Sequence, residues 1–326
     1  MKTIFLGSGA VAEAVLKALR RAGFEPELVI TQPPRARRRR GSAEPTQVQV
    51  YAESHGIEVF APENVNAPES LDRLRSAQAR LYVVAEYGQI LSQEFLDIPE
   101  LGAVNVHTSL LPRHRGAAPV AAAILAGDEV TGVSIQKVVR RLDAGPVLAE
   151  RHEPIREDDD RGSLTARLAV LGGELAAEVV GAFADGNPPA ERAQDESAAT
   201  YIKRFTSADR EVDWSRSAEQ ICRSVRAMSP KPGVRTSLLR DPPMSVRVLA
   251  ATHVDAEGSP GQILGVFEDA LRVAAGTGAV DLRRVLPAGK RPMSGESFKN
   301  GYRVAPGERF GPEAGEPDAE SPGEAE

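Results

Sequence analysis

The most constraining feature of the chain is the alternation of short apolar runs with amphipathic stretches across its first 106 residues. Residues 2–6 form an apolar run that ends on Gly7-Ser8-Gly9. Residues 10–22 then place Val11, Ala14, Val15, Ala18 and Leu19 at helical spacing, with Gly23 as the stop signal. Apolar runs at 27–31, 57–60, 81–85 and 103–106 follow, with helical patterns at 46–55 and 69–77 between them. Strands this uniformly apolar need cover on both faces, which a parallel sheet flanked by helices provides. The fold class is therefore α/β, a Rossmann-like domain with a mostly parallel sheet. Residues 131–139 and 147–152 read as two antiparallel strands around Asp143-Ala144-Gly145, and 163–184 as a long helix behind the acidic run 157–160.

Composition divides the rest. Small and turn-forming residues, including Gly186-Asn187-Pro188-Pro189, mark a linker over 185–200. Beyond it, one helix at 218–228 precedes short strands at 246–252, 262–267, 271–275 and 280–285, the pattern of a small β-barrel. The expected organisation is a catalytic domain over 1–185, a linker over 186–204, a barrel over 205–306 and a disordered acidic tail over 307–326. The tail carries seven acidic residues and one arginine, whereas residues 201–306 carry 17 bases against 11 acids. A basic segment in an acidic protein points to a polyanionic partner or to ordinary surface charge. The single Cys222 excludes a disulfide framework, and the five histidines have no metal-ligand spacing. No run approaches the ~18 apolar residues of a membrane span, and the first residues resemble neither a signal nor a transit peptide. A metal-free cytoplasmic protein is expected.

Gly7-Ser8-Gly9-Ala10-Val11-Ala12 fits the dinucleotide-binding fingerprint G-x-G-x-x-A. The second strand ends Val29-Ile30-Thr31-Gln32-Pro33-Pro34, without the acid that would hold a ribose, though Arg35 would suit NADP. The other reading is a tight turn where strand and helix pack closely.

The stretch richest in chemistry is residues 105–119. Side chains alternate along a strand, so Asn105 and His107 share a face while Val106 enters the core. The carboxyl end of such a strand is where open α/β sheets bind ligands. An imidazole moves protons near neutral pH, and a neighbouring amide donates to a developing oxyanion. That pair suits acyl-type transfer without a covalent nucleophile. Asp143, in the turn Leu142-Asp143-Ala144-Gly145, is placed to orient the ring. For His107 alone, a satisfied imidazole at a strand end is the competing reading.

Asn105-Val106-His107, Ser109-Leu110-Leu111-Pro112, the run from Arg113 to Pro119 (Arg-x-Arg-Gly-Ala-x-Pro) and Leu142-Asp143-Ala144-Gly145 together resemble the 10-formyltetrahydrofolate-dependent formyltransferases. The resemblance extends to Thr31-Gln32-Pro33, Tyr87-Gly88-Gln89-Ile90-Leu91, Ala199-Thr200-Tyr201, Asp213-Trp214 and Arg291-Pro292-Met293-Ser294-Gly295, covering about residues 1–305. It implies a formyltransferase domain followed by an OB-like β-barrel, and 10-formyltetrahydrofolate as formyl donor. Asn105 would polarise the formyl oxygen and stabilise the tetrahedral oxyanion. His107 would move protons from the attacking amine toward folate N10, and Asp143 would hold His107. Ser109, Leu110, Leu111 and Pro112 would line the folate site, and Gly116 would let the chain turn close to it. No metal is implied. The C-terminal domain points to the tRNA-directed branch of the family, whose acceptor is the α-amine of methionyl initiator tRNA, in translation initiation. A monomer of bacterial, cytoplasmic type is implied as well.

Arg35, Arg37, Arg38, Arg39 and Arg40 put five arginines in six positions on the loop after the second strand. In the family this loop meets the tRNA acceptor end, and an all-arginine run serves phosphate contact. In the barrel, clustering nominates Arg223, Arg226, Lys231 and Arg235. Three departures from the family pattern stand out. Gly9 lies where the usual Gly-Thr-Pro-x-Phe-Ala opening has proline, Glu86 replaces alanine before Tyr87-Gly88, and His114 replaces an aromatic residue. Rival readings are a formyltransferase acting on glycinamide ribonucleotide or an amino-sugar nucleotide, an NADP-dependent oxidoreductase, and a non-catalytic RNA-binding protein. The oxidoreductase leaves Asn105 and His107 without a role.

Overall fold

The computed structural model describes residues 1–36 and 43–312. The strands of its first part are β1 (Thr3–Gly7), β2 (Leu28–Ile30), the short pair β3 (Arg35–Ala36) and β4 (Ala43–Glu44), β5 (Val59–Phe60), β6 (Leu81–Ala85), β7 (Ala103–His107), β8 (Arg115–Gly116), β9 (Val130–Lys137) and β10 (Val147–Pro154). Seven of them form one sheet in the order β10-β9-β7-β6-β1-β2-β5. From β5 to β7 all neighbours are parallel, and β9 and β10 extend that edge antiparallel. Every residue of β1, β2 and β6 is buried, as strands with both faces covered must be. The expected mostly parallel α/β sheet is present.

Chain order explains where a ligand belongs. From β1 the chain builds outward through β2 to β5, then returns to β6 on the other side of β1. The reversal opens a crevice beyond the carboxyl ends of β1 and β6, the switch point at which doubly wound sheets bind ligands. Helix α1 (Ala10–Arg21) starts at that crevice and buries Val11, Val15, Leu16 and Leu19 against the sheet.

The chain divides into two compact units. Met1–Val120, Glu129–Arg156 and Ser163–Lys203 make one; Ala121–Asp128, Glu157–Gly162 and the chain from Arg204 onward make the other. Most of the segment expected to be a free linker is thus built into the first unit. Arg192 bridges to Val147, and β11 (Tyr201–Ile202) pairs in parallel with β8. A Pro- and Gly-rich composition disfavours helices and central strands, but it leaves single backbone ladders and polar side chains free to dock.

The second unit is an antiparallel sheet of β12 (Val234–Leu238), β13 (Met244–Val254), β14 (Ile263–Phe267), β15 (Ala270–Ala274), β16 (Ala279–Pro287), β17 (Met293–Ser294) and β18 (Phe310–Gly311), with path β14-β15-β16-β13-β12-β18. Its core gathers Ile221 and Val225 of the helix Ala218–Met228 with Val246, Leu271, Leu282 and Phe298. Here the expected disorder is corrected for residues 307–311, while residues 313–326 of the expected tail lie outside the described residues. Phe310 is buried, β18 pairs with β12, and Gln262 bridges to Arg309, so residues 307–311 close the sheet between β12 and the start of β14. An open sheet edge exposes unpaired backbone groups, and one buried aromatic is enough to fix the strand that covers it. Among the described residues, no helix is long and apolar enough to cross a membrane.

Candidate active site

The register of β7 and β9 assembles the polar face. Asn105 lies opposite Gln136 and His107 opposite Ser134, so these side chains occupy one side of the sheet. His107 is buried, and its Nε2 lies 3.0 Å from the carbonyl oxygen of His114. A carbonyl only accepts, so Nε2 carries a proton and Nδ1 is the basic atom. Nδ1 lies 3.8 Å from Asp143 Oδ2. Asp143 sits in the left-handed region at φ 48°, which turns its carboxylate back toward β7 and β9. Its Oδ2 accepts from Gly116 N at 2.8 Å and its Oδ1 from Gln136 Nε2 at 3.0 Å. Asn105 is half-buried, and its amide has no hydrogen-bond partner among the described residues. The ring is therefore fixed on one side and paired with a carboxylate on the other, beside an uncommitted amide donor.

Residues 108–116 form a tightly tied loop. Ser134 Oγ accepts from Leu111 N and donates to the Ser109 carbonyl, and Ser109 Oγ donates to the Arg113 carbonyl. Ser109 and Leu111, expected to line the folate site, are buried within the loop's own support. Leu110, Pro112 and Gly116 keep partial exposure. Gly116 has φ 112°, and a Cβ there would collide with the Ile202 carbonyl of β11. His114 is buried too, its backbone N donating to Thr200 Oγ1 at 2.8 Å. Ser134 and Gln136 are not among the residues that motif and spacing single out, and Thr200 enters only as part of the motif Ala199-Thr200-Tyr201, with no role attached. The signal lies in Val133-Ser134-Ile135-Gln136, where polar residues alternate within a buried strand.

The glycine turn takes the bland course. Glu86 Oε2 accepts from Val11 N at 3.0 Å, in the first turn of α1. A helix N-terminus favours an anion, and in dinucleotide folds that anion is the pyrophosphate. Here the protein's own carboxylate takes the place, which removes the NADP reading and gives Glu86 its partner.

Of the basic residues, Arg37, Arg38, Arg39 and Arg40 lie outside the described residues, and Arg35 opens β3 in register with Glu44. Arg223 pairs with Glu219 at 2.5 Å, Arg226 Nη1 donates to the Asp159 carbonyl at 3.2 Å, and Arg235 pairs with Glu211. Lys231 is exposed. Two exposed arginines that clustering passes over, Arg247 and Arg284, have no carboxylate partner among the described residues. Arg247 stands directly opposite Arg235 on β12, and Leu286 of β16 opposes Arg247. Arg284, two residues along from Leu286, therefore belongs to the same face.

The formyl transferase family matches residues 1–180, and the formyl transferase C-terminal domain matches residues 204–303. The chain belongs to the formyl transferase family. A protein named methionyl-tRNA formyltransferase from Herpetosiphon aurantiacus is 40% identical over 305 residues, covering 93% of this chain and 98% of that protein. One of the same name from Symbiobacterium thermophilum is 38% identical over 326 residues, covering 100% of each. Among solved structures, the N-formyltransferase from Helicobacter canadensis in complex with folinic acid and dTDP-3-aminofucose has a TM-score of 0.63 at 15% identity, covering 86% of this chain and 98% of that one. HypX from Aquifex aeolicus in complex with tetrahydrofolic acid has a TM-score of 0.60 at 18% identity, covering 93% and 47%. Both share the fold.

Proposed function

We propose that this chain transfers a formyl group from 10-formyltetrahydrofolate to the α-amine of methionyl initiator tRNA. The observation that carries the chemistry is the facing of His107 Nδ1 and Asp143 Oδ2, with Asn105 on the same sheet face. The donor supplies an activated formyl carbon and N10 as leaving group. The site suits it: an uncommitted half-buried amide stands beside a loop whose Leu110, Pro112 and Gly116 keep partial exposure.

Asn105 donates to the formyl oxygen as negative charge develops there during attack by the neutral amine. His107 takes the proton released by the amine at Nδ1, where Asp143 stabilises the imidazolium, and returns it to N10 as the carbon–N10 bond breaks. Positive charge on the ring also opposes the oxyanion's charge. Nothing in this route needs a covalent nucleophile.

The acceptor is assigned from the two-domain match to the relatives named methionyl-tRNA formyltransferase and from the face of β12, β13 and β16. Among the described residues Arg247 and Arg284 have no carboxylate partner there, which leaves them open to phosphate, with Lys231 exposed just ahead of β12. The arginines of residues 35–40 are proposed to meet the acceptor end. A formyltransferase for a small amine has no use for such a face. His107→Ala should lower single-turnover formyl transfer by about 10²–10⁴-fold, the range of general acid–base catalysis, with tRNA affinity retained. Loss of tRNA binding with transfer preserved would reverse the assignment.

A further inference from the structure

The carboxylate that pairs with His107 is the last acceptor in a chain of donors that begins at a buried guanidinium. Arg115 has no exposed surface; it donates from Nη2 and Nε to Gln194 Oε1 at 2.8 and 3.1 Å, and is bound to Glu196 and Tyr201. With its oxygen committed to Arg115, Gln194 must turn its NH₂ the other way. That group donates to the carbonyls of Asp143 at 2.8 Å and Gly145 at 2.6 Å, and reaches Gln136 Oε1 at 3.3 Å. Gln136, only 2% exposed, is fixed in turn: its oxygen faces Gln194, so its NH₂ donates to Asp143 Oδ1. A guanidinium has donors only and a carboxylate acceptors only, so Arg115 sets the polarity of Gln194 and Asp143 that of Gln136, and the two amides meet with matching ends.

We infer that Gln136 and Gln194 are positioning residues for the transfer step. They hold the Asp143 turn from its backbone and from Oδ1, leaving Oδ2 aimed at His107 Nδ1. Gln194 lies in the segment that joins the two family domains, so this connecting segment is part of the catalytic apparatus. The inference rests on the proposed roles of His107 and Asp143.

The test is a set of double-mutant cycles read in single-turnover transfer with saturating donor and tRNA. Gln136→Met keeps the side-chain length and removes the donor; Gln194→Leu cuts the chain one step earlier. Each should lower the transfer rate about 10-fold, the scale of a small misplacement of a reacting group, with KM for either substrate changed less than about twofold. The double variant should lose about 10-fold rather than 100-fold, because both changes break one chain. In an Asp143→Asn background, Gln136→Met should cost nothing further. Additive losses, or a loss from Gln136→Met that persists beside Asp143→Asn, would overturn the inference. If Asp143→Asn itself transfers at the wild-type rate, the underlying assignment of Asp143 fails instead.

Discussion

Gly9 and Glu86 share one space. A Cβ on Gly9 would overlap Glu86 Oε2, the oxygen that accepts from Val11 N at the start of α1. Two departures from the family pattern are thus one feature: the glycine admits the carboxylate, and the carboxylate caps the helix. Gly9→Ala should destabilise the protein by about 1 kcal/mol, because the Glu86 carboxylate must swing away and give up its bond to Val11 N, and adding Glu86→Ala should cost little more. Urea denaturation of the two single variants and the double variant measures the coupling. Independent, additive losses would contradict it.

Phe310 closes the second unit. It is 2% exposed and stacks against Trp214, with ring centroids 6.0 Å apart. Phe310→Ala should cost about 3–5 kcal/mol, as large-to-small core changes do. Trp214 is the chain's only tryptophan, so its fluorescence follows the unfolding of this unit alone. An unchanged midpoint would place the closing strand outside the cooperative unit.

Glu308 gives that strand a pH dependence. Hydrogen bonds from Arg240 hold its carboxyl below the usual carboxylate range, helped by the backbone N of Ala305. A carboxyl lowered in the folded state stabilises it above the ordinary value of 4.5, and that contribution disappears as pH falls through the folded value. Wild type should therefore exceed Glu308→Gln in stability at neutral pH, and the two should converge as pH drops below 4.5. Parallel stability curves would count against the pair.

Arg247 and Arg284 carry the phosphate reading. Replacing either with alanine should weaken tRNA binding and reduce the slope of log K against log salt by about one for each phosphate left unneutralised. Arg223→Ala should leave the slope alone, since Arg223 already pairs with Glu219. The binding isotherms are taken at several salt concentrations; equal slopes for all variants would remove the face from the interface.

The architecture is legible wherever periodicity and burial agree. The strands at residues 3–7 and 81–85 are apolar runs with no other place to go, and in the strand at 103–107 Asn105 and His107 share a face by alternation alone. Asp143 stands out through its turn and its motif. What sequence reading misses depends on partners distant along the chain. Gln136 matters because it faces Asn105 across a strand pair, and Gln194 because a loop-like segment docks polar side chains rather than apolar ones. Clustering of charge misleads for the same reason: Arg223 and Arg235 are taken up by nearby glutamates, a fact of side-chain geometry that counting cannot reveal. The closing strand is hidden by composition, since one phenylalanine among Pro, Gly and Glu leaves no periodic signal.

The most direct test is formyl transfer from 10-formyltetrahydrofolate, with methionyl initiator tRNA, methionyl elongator tRNA and glycinamide ribonucleotide as parallel acceptors. Transfer to the initiator tRNA is expected at a rate at least tenfold above either alternative, and it should collapse in His107→Ala. Transfer to glycinamide ribonucleotide alone, or undiminished transfer by His107→Ala, would contradict the assignment.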